Sequence, residues 1–373
     1  MKKIKYIFLI LALISCSSTN ESVNLNNETV SNNSSTTITE NTNTTSSNET
    51  TTTVIVENYI FDNEKMSPFT GMELPPELWL KRPRRVIAFK IDNNINARPQ
   101  SGLESADAVH EILVEGGMTR FLAFFYDKTS DYVGPVRSAR PTDPTLIRPY
   151  GGTLVVSGAT GGLVPAIRQM GVPVLEEQSA PSMFRISSRS APHNLYADTE
   201  LVRDVIDNKG YYFLQPGPDP LYPFGNNQDS WIPGANRVTI KYSEFTTVIW
   251  KLDGDKYSRF IIDGYSENKD QAVAHNVITR DSTENILSSE TIVVLQGPIY
   301  IDEATTLPSL LTVGVGPVHI FNNGNLVKGT WRRNDVSKSF DLFDDNQDQI
   351  QVPPSTQWVH VLPLDGVVSW SDN

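Results

Sequence analysis

The chain has 373 residues, 39% of them hydrophobic and 20% charged, a composition that suits a globular protein of about two domains. A formal net charge of −12 sets it against phosphate backbones and anionic headgroups, so no nucleic-acid partner is expected. Its single cysteine excludes intramolecular disulfides, cysteine-based zinc sites and Cys-X-X-Cys redox chemistry.

That cysteine has a position that explains it. Met1 to Lys5 are basic, and Tyr6 to Ile14 form an apolar run too short to span a bilayer, which needs about 20 residues. The run ends in Leu13-Ile14-Ser15-Cys16, the aliphatic, variable, small, Cys pattern of a lipobox. Residues 1–15 are therefore expected to be a signal peptide, with diacylglycerol on Cys16 anchoring an extracytoplasmic protein to the cell membrane. Loss of Lys2, Lys3 and Lys5 with the signal takes the net charge from −12 to −15. Residues 16–56 are almost all Ser, Thr, Asn and Glu and cannot bury enough surface to order themselves. They read as a tether with a span of roughly 35 Å.

Residues 57–215 mix strands and helices. Arg85 to Ile91 is a buried strand running into Asp92-Asn93-Asn94, and Val109–Glu115 with Thr119–Tyr126 forms a hairpin around Gly116-Gly117. Thr153 to Ser157 is a short strand that turns through Gly158-Ala-Thr-Gly161-Gly162 into a helix near Leu163 to Met170. That turn lacks the full Gly-X-Gly-X-X-Gly fingerprint and the lysine of a P-loop, which favours a tight turn over a phosphate cradle. A second helix covers Leu201 to Asn208, with Asp198 or Thr199 able to cap it.

Residues 216–236, rich in Pro, Gly and Asn, are expected to link this part to a β-rich region over 237–373. Asn323-Gly324 there is a type I′ hairpin signal. Trp250, Trp331, Trp358, Tyr242 and Tyr257 lie on its alternating strands, where aromatics usually belong to the core rather than to a sugar-binding face. The fold class expected is α+β, an N-terminal mixed α/β part packed with a C-terminal, mainly antiparallel β part.

Polar residues gather in the first part. Asp92 and Arg98 flank the first strand's exit, Glu111, Glu115 and Arg120 lie on the hairpin, Arg137, Ser138 and Arg140 follow Gly134-Pro135, and Arg189, His193 and Asn194 lie in a later loop. Pro141 disfavours helix at Arg140, so these arginines present extended forks able to bind carboxylate or phosphate. Pairing of the same arginines with Asp92, Glu111 or Glu115 is the structural alternative. Glu111 and Glu115 on one strand would stand roughly 13 Å apart at Cα, too far for a retaining glycosidase pair. His193 could act as a general base or serve as a hydrogen-bonded loop residue. His110-Glu111 lacks the second histidine of a zinc-protease motif, since position 114 is Val114, so no metal is expected and nothing requires a cofactor.

Four segments stand in this order: Ile91-Asp-Asn93 through Ala97-Arg-Pro-Gln-Ser-Gly102, Val114-Glu-Gly-Gly-Met-Thr-Arg120, Gly134-Pro-Val-Arg-Ser-Ala-Arg140, and Ser190-Ala-Pro-His-Asn-Leu195. With Val238-Thr-Ile-Lys-Tyr-Ser243, Lys328-Gly-Thr-Trp331 and Trp358-Val-His-Val-Leu-Pro363, the chain resembles the YerB-like lipoproteins, a family defined by a domain of unknown function, over roughly residues 67 to 365. The resemblance implies an N-terminal α/β part, a C-terminal β part and no established activity. The sequence thus leads to a lipoprotein that binds an anionic, wall-derived ligand. An envelope hydrolase or transferase using Asp92, Glu111 or His193, and a protein-binding scaffold, stand as alternatives.

Overall fold

Three apolar runs build the centre of the molecule. Strands β1 (Ile87–Asp92), β2 (Ala108–Leu113) and β3 (Thr119–Phe125) are buried at every position, so both faces of this part of the sheet are covered. Mainly apolar runs suit that environment, because there is no solvated face to demand alternation, and the charged Lys90, Asp92, Glu111 and Arg120 within them must find partners. In this computed structural model the described residues are 59–79, 85–210 and 218–372. The signal, Cys16 and the tether expected over residues 1–56 lie outside the described residues.

Residues Glu57–Asn373 form one compact unit. Among the described residues an eleven-stranded sheet runs in the order Asp341–Asp344, Asn325–Arg333, Gly314–Asn322, Thr291–Gly297, Gln357–Pro363, β2, β3, β1, Thr153–Val155, Val174–Leu175. The short strand Ile232–Pro233 joins it at Asn325 and Leu326. Gln357–Pro363 is the seam: it runs parallel to β2 on one side and to Thr291–Gly297 on the other. Strands from either side of the 216–236 segment therefore share one hydrogen-bonded sheet.

A six-stranded antiparallel sheet contains Val273–Ala274, Lys256–Asp263, Thr246–Asp253, Arg237–Lys241 and Val367–Ser371, with Ser288–Ser289 beside Lys256–Asp263. Here burial alternates along Lys256–Asp263, with Tyr257, Arg259, Ile261 and Asp263 inward. That is the period-two pattern of a strand with one solvated face. The molecule is thus α+β, with helices such as Leu163–Gln169 and Thr199–Asn208 confined, among the described residues, to the N-terminal part. Asp198 caps the latter by accepting from the backbone N–H groups of Glu200 and Leu201. Asn323 and Gly324 both take positive φ, as the I′ turn between Gly314–Asn322 and Asn325–Arg333 requires.

The hairpin around Gly116-Gly117 differs in one respect from the sequence expectation. Strand β2 ends at Leu113, and Glu115 stands in a turn in which Gly116 and Gly117 take φ of 71° and 70°. Two consecutive residues in the left-handed region break the pleat, so Glu111 and Glu115 are not spaced along one strand.

Candidate functional site

Register decides which polar side chains meet. Asp92 pairs with Arg120 across β1 and β3, and Arg120 with Ile112 across β3 and β2. One residue along, Ile91, Phe121, Glu111 and His360 are in line. Because successive side chains alternate, these two rows project from opposite faces of the sheet. Two separate polar networks result.

The first lies on the face that meets the six-stranded sheet, with Glu111, Arg259, His275 and His360 fully buried at its centre. Arg259 donates through one Nη to both oxygens of Glu111, at 2.7 and 2.9 Å. Thr119 and the Trp358 indole donate to the same carboxylate at 2.8 and 3.0 Å. Arg259 is also sandwiched by Phe121, Trp250 and Trp358, with ring centroids 5.4 to 5.8 Å away. Burial works against the charge on Glu111, but Arg259, His360 and these hydrogen bonds prevail and lower its pKa.

Histidine tautomers in this network follow from its donors. The Trp250 indole can only donate, so His360 accepts at Nε2 over 2.8 Å. Its proton then sits on Nδ1, 2.9 Å from the Tyr242 hydroxyl, which donates to the Glu111 carbonyl. Burial pushes His360 down to about 3, although the Glu111 charge opposes this. Arg259 likewise donates to His275 Nδ1, so His275 donates from Nε2 to Gln100 at 2.7 Å. Gln100 donates in turn to the carbonyl of Asp92. Arg98 completes this side, pairing with Asp263 at 2.6 Å and donating to Asn93.

The second network, on the opposite face, opens to solvent. The segment from Gly134 to Arg140 runs extended beside β1, with Asp92 N–H donating to Pro135 and Arg137 N–H to Lys90. Asp92, itself buried, holds two groups through Oδ2: His193 Nδ1 at 2.7 Å and Arg137 Nε at 3.1 Å. The Arg137 contact is ionic, since its Nε–H is not aligned for a hydrogen bond. Its two Nη groups have no hydrogen-bond partner among the described residues.

Arg120 lies 4.0 Å from Asp92 and 3.5 Å from Glu115, and donates to the Ser138 carbonyl. Arg140 grips Glu115 with both prongs, through Nε at 2.6 Å and through Nη2. Burial raises the cost of the Glu115 charge, but the Arg140 hydrogen bonds and the Arg120 and Arg140 charges overcome it and hold the carboxyl at about 2. Burial and the neighbouring Arg140 charge bring Arg120 down to about 10, against the pull of Asp92 and Glu115. Beneath them Lys90 and Asp143 form a fully buried pair at 2.6 Å. Ser138 Oγ stands 3.4 Å from Ser157 Oγ.

The structure thus brings Asp92, Glu115, Arg120, Arg137, Ser138, Arg140 and His193 together. It takes Arg98 and Glu111 to the other face. Arg189 donates to the carbonyls of Ala97 and Pro99, and Asn194 pairs with Arg185 and Ile186, so both pin loops. His110, edge-on to Phe124, is a core residue. Trp250, Trp331, Trp358, Tyr242 and Tyr257 are buried as well. Sequence reasoning missed Arg259 and Lys90. The signal for Arg259 was its place at an inward position of an alternating strand, and for Lys90 a lone charge inside an apolar run.

Fold and site together define an α+β protein with a charged, half-open cluster on one face of a mixed sheet. The protein of unknown function (DUF3048) N-terminal domain matches residues 69–212, and the corresponding C-terminal domain matches residues 238–359. The chain belongs to this YerB-like family. It is 26% identical over 300 residues, 80% of this chain and 86% of the relative, to the Bacillus subtilis (strain 168) protein named "Putative lipoprotein YerB". A crystal structure of the YerB protein from Bacillus subtilis shares the fold, with a TM-score of 0.67 and 23% identity, covering 82% of this chain and 99% of that one.

Proposed function

We propose that the chain is a membrane-anchored, extracytoplasmic lipoprotein that binds an anionic cell-envelope ligand at the Asp92 cluster. The anchor rests on the Leu13-Ile14-Ser15-Cys16 pattern and on the lipoprotein name of the Bacillus relative. The ligand reading is carried by Arg137. Asp92 holds its Nε side, while the two outer nitrogens of the fork remain unengaged among the described residues. Arg120, Arg137 and Arg140 outnumber Asp92 and Glu115, so the cluster carries excess positive charge in a protein of net charge −12. A planar fork of this kind fits a carboxylate or phosphate. NMR titration with lactate and with inorganic phosphate tests it. Saturable shifts in the wild type that vanish in Arg137→Ala support the reading, and identical titrations of the two overturn it.

One observation favours a second reading, an envelope hydrolase or transferase. Asp92 Oδ2 on His193 Nδ1 at 2.7 Å would orient the imidazole with Nε2 as the available base. Release of soluble products from purified wall polymer, lost in His193→Ala, is its test.

A further inference from the structure

The turn that carries Glu115 is covered by an aromatic pair that the charged cluster does not use. Tyr265 and Phe245, both from the β-rich region, stack with centroids 4.9 Å apart and planes 20° from parallel. Tyr265 is 49% exposed, whereas Trp250, Trp331 and Trp358 of the same region are buried. The pair is fixed in place. The Tyr265 hydroxyl donates to the Gly116 carbonyl at 2.6 Å, and its backbone N–H donates to Asp263, which also holds Arg98. Phe245 lies so close to Gly117 that an added Cβ there would meet its ring at 2.9 Å. Ser243 and Thr246 donate to the Gly117 carbonyl at 2.7 and 2.9 Å.

From this shelf a continuous chain of contacts leads to the anion site. Glu115, the residue before Gly116, pairs with Arg120 and Arg140, Arg120 reaches Asp92, and Asp92 holds Arg137 and His193. Along that line stand a half-exposed ring, a carboxylate that is 36% exposed and can only accept, and a guanidinium whose outer donors have no partner among the described residues. A flat apolar ring takes the C–H face of a sugar, and an ionised carboxylate takes its hydroxyls. The same carboxylate repels a ligand with several charges, which disfavours a nucleotide polyphosphate.

We infer that the site takes an acidic saccharide, with a sugar ring on Tyr265, hydroxyl donors on Glu115 and a single pendant carboxylate on Arg137. This rests on the anion reading given above and adds the ligand class. A few oriented polar groups beside an aromatic wall is the usual make-up of a site for a small molecule.

The test uses the full-length chain in detergent and four probes: an amino-sugar disaccharide carrying a lactyl ether carboxylate, neutral diacetylchitobiose, free lactate, and uridine monophosphate. The acidic disaccharide should bind about tenfold more tightly than either diacetylchitobiose or lactate, since each end of the site contributes. Tyr265→Ala should weaken the disaccharide about tenfold while leaving lactate unchanged, and Tyr265→Phe, which keeps the ring, should bind within about twofold of wild type. If Tyr265→Ala binds the disaccharide as wild type does, or if uridine monophosphate binds more tightly than the disaccharide, the saccharide inference fails. The anion reading then stands if Arg137→Ala still weakens lactate. If Arg137→Ala leaves lactate and disaccharide untouched, the anion reading falls and takes this inference with it.

Discussion

Asp92 and Glu111 lie on central strands of the same sheet, yet their carboxylates project from opposite faces, Asp92 in register with Arg120 and Glu111 with Phe121. The same sheet therefore carries a dry network on one side and a wet one on the other. The dry one joins the two sheets, and the wet one is the candidate site. Each makes its own predictions.

Arg259 and Glu111 form a fully buried pair. Removing one partner leaves the other charge uncompensated away from water, which costs about 3–5 kcal/mol. Arg259→Ala should lower the free energy of unfolding by that amount in a urea titration. Replacing both members with apolar residues of similar volume should restore much of it.

Arg137 and Arg140 should respond differently. Arg137 makes one ionic contact at the mouth, so Arg137→Ala should change stability by less than about 1 kcal/mol while abolishing lactate and phosphate binding. Arg140 holds both oxygens of Glu115, and Arg140→Ala should cost about 1–3 kcal/mol in thermal or chemical unfolding. Equal stability losses in the two variants would mean that Arg137 is structural.

Acid should destabilise the protein through its core histidines. Burial and the Arg333 charge push His110 from 6.5 to about 3, so it stays neutral in the folded state. Below pH 6.5 the unfolded chain takes up a proton that the folded chain refuses until about pH 3, so stability present above 6.5 is lost as pH falls through that window. His110→Leu should make the acid limb of a Tm-against-pH curve shallower. Because neither ring nitrogen of His110 has a partner among the described residues, the substitution should also add about 1 kcal/mol at pH 7. His360, held at about 3 by its own burial, keeps the limb from becoming flat.

Cys16→Ser should move the protein from the membrane fraction to the soluble or secreted fraction, because the lipid is the expected attachment. Unchanged membrane association on fractionation would remove the anchor from the proposal.

Much of the fold was legible before any coordinates. The apolar runs around Phe89, Ile112 and Leu122 became β1, β2 and β3, Asp198 caps its helix, and Asn323-Gly324 turns its hairpin. These are local matters of periodicity, capping and φ, and the residues that settle them are neighbours in the chain. The site was only partly legible. Asp92 and His193 meet across 101 positions, and Glu111 and Arg259 across 148. Grouping Asp92 with Glu111 failed because a strand sends adjacent residues to opposite faces, and which row each joins depends on the register with partner strands. Tyr265 escaped notice because one tyrosine among 13 carries no mark of exposure in the sequence. The chain's own order thus determined its expected address, its elements and its acidic surface. Tertiary pairing alone decided that, in the Asp92 cluster, Arg140 is gripped by Glu115 while Arg137 keeps its outer nitrogens unengaged among the described residues, because an ion pair forms wherever folding brings opposite charges within a few ångströms, regardless of their distance along the backbone.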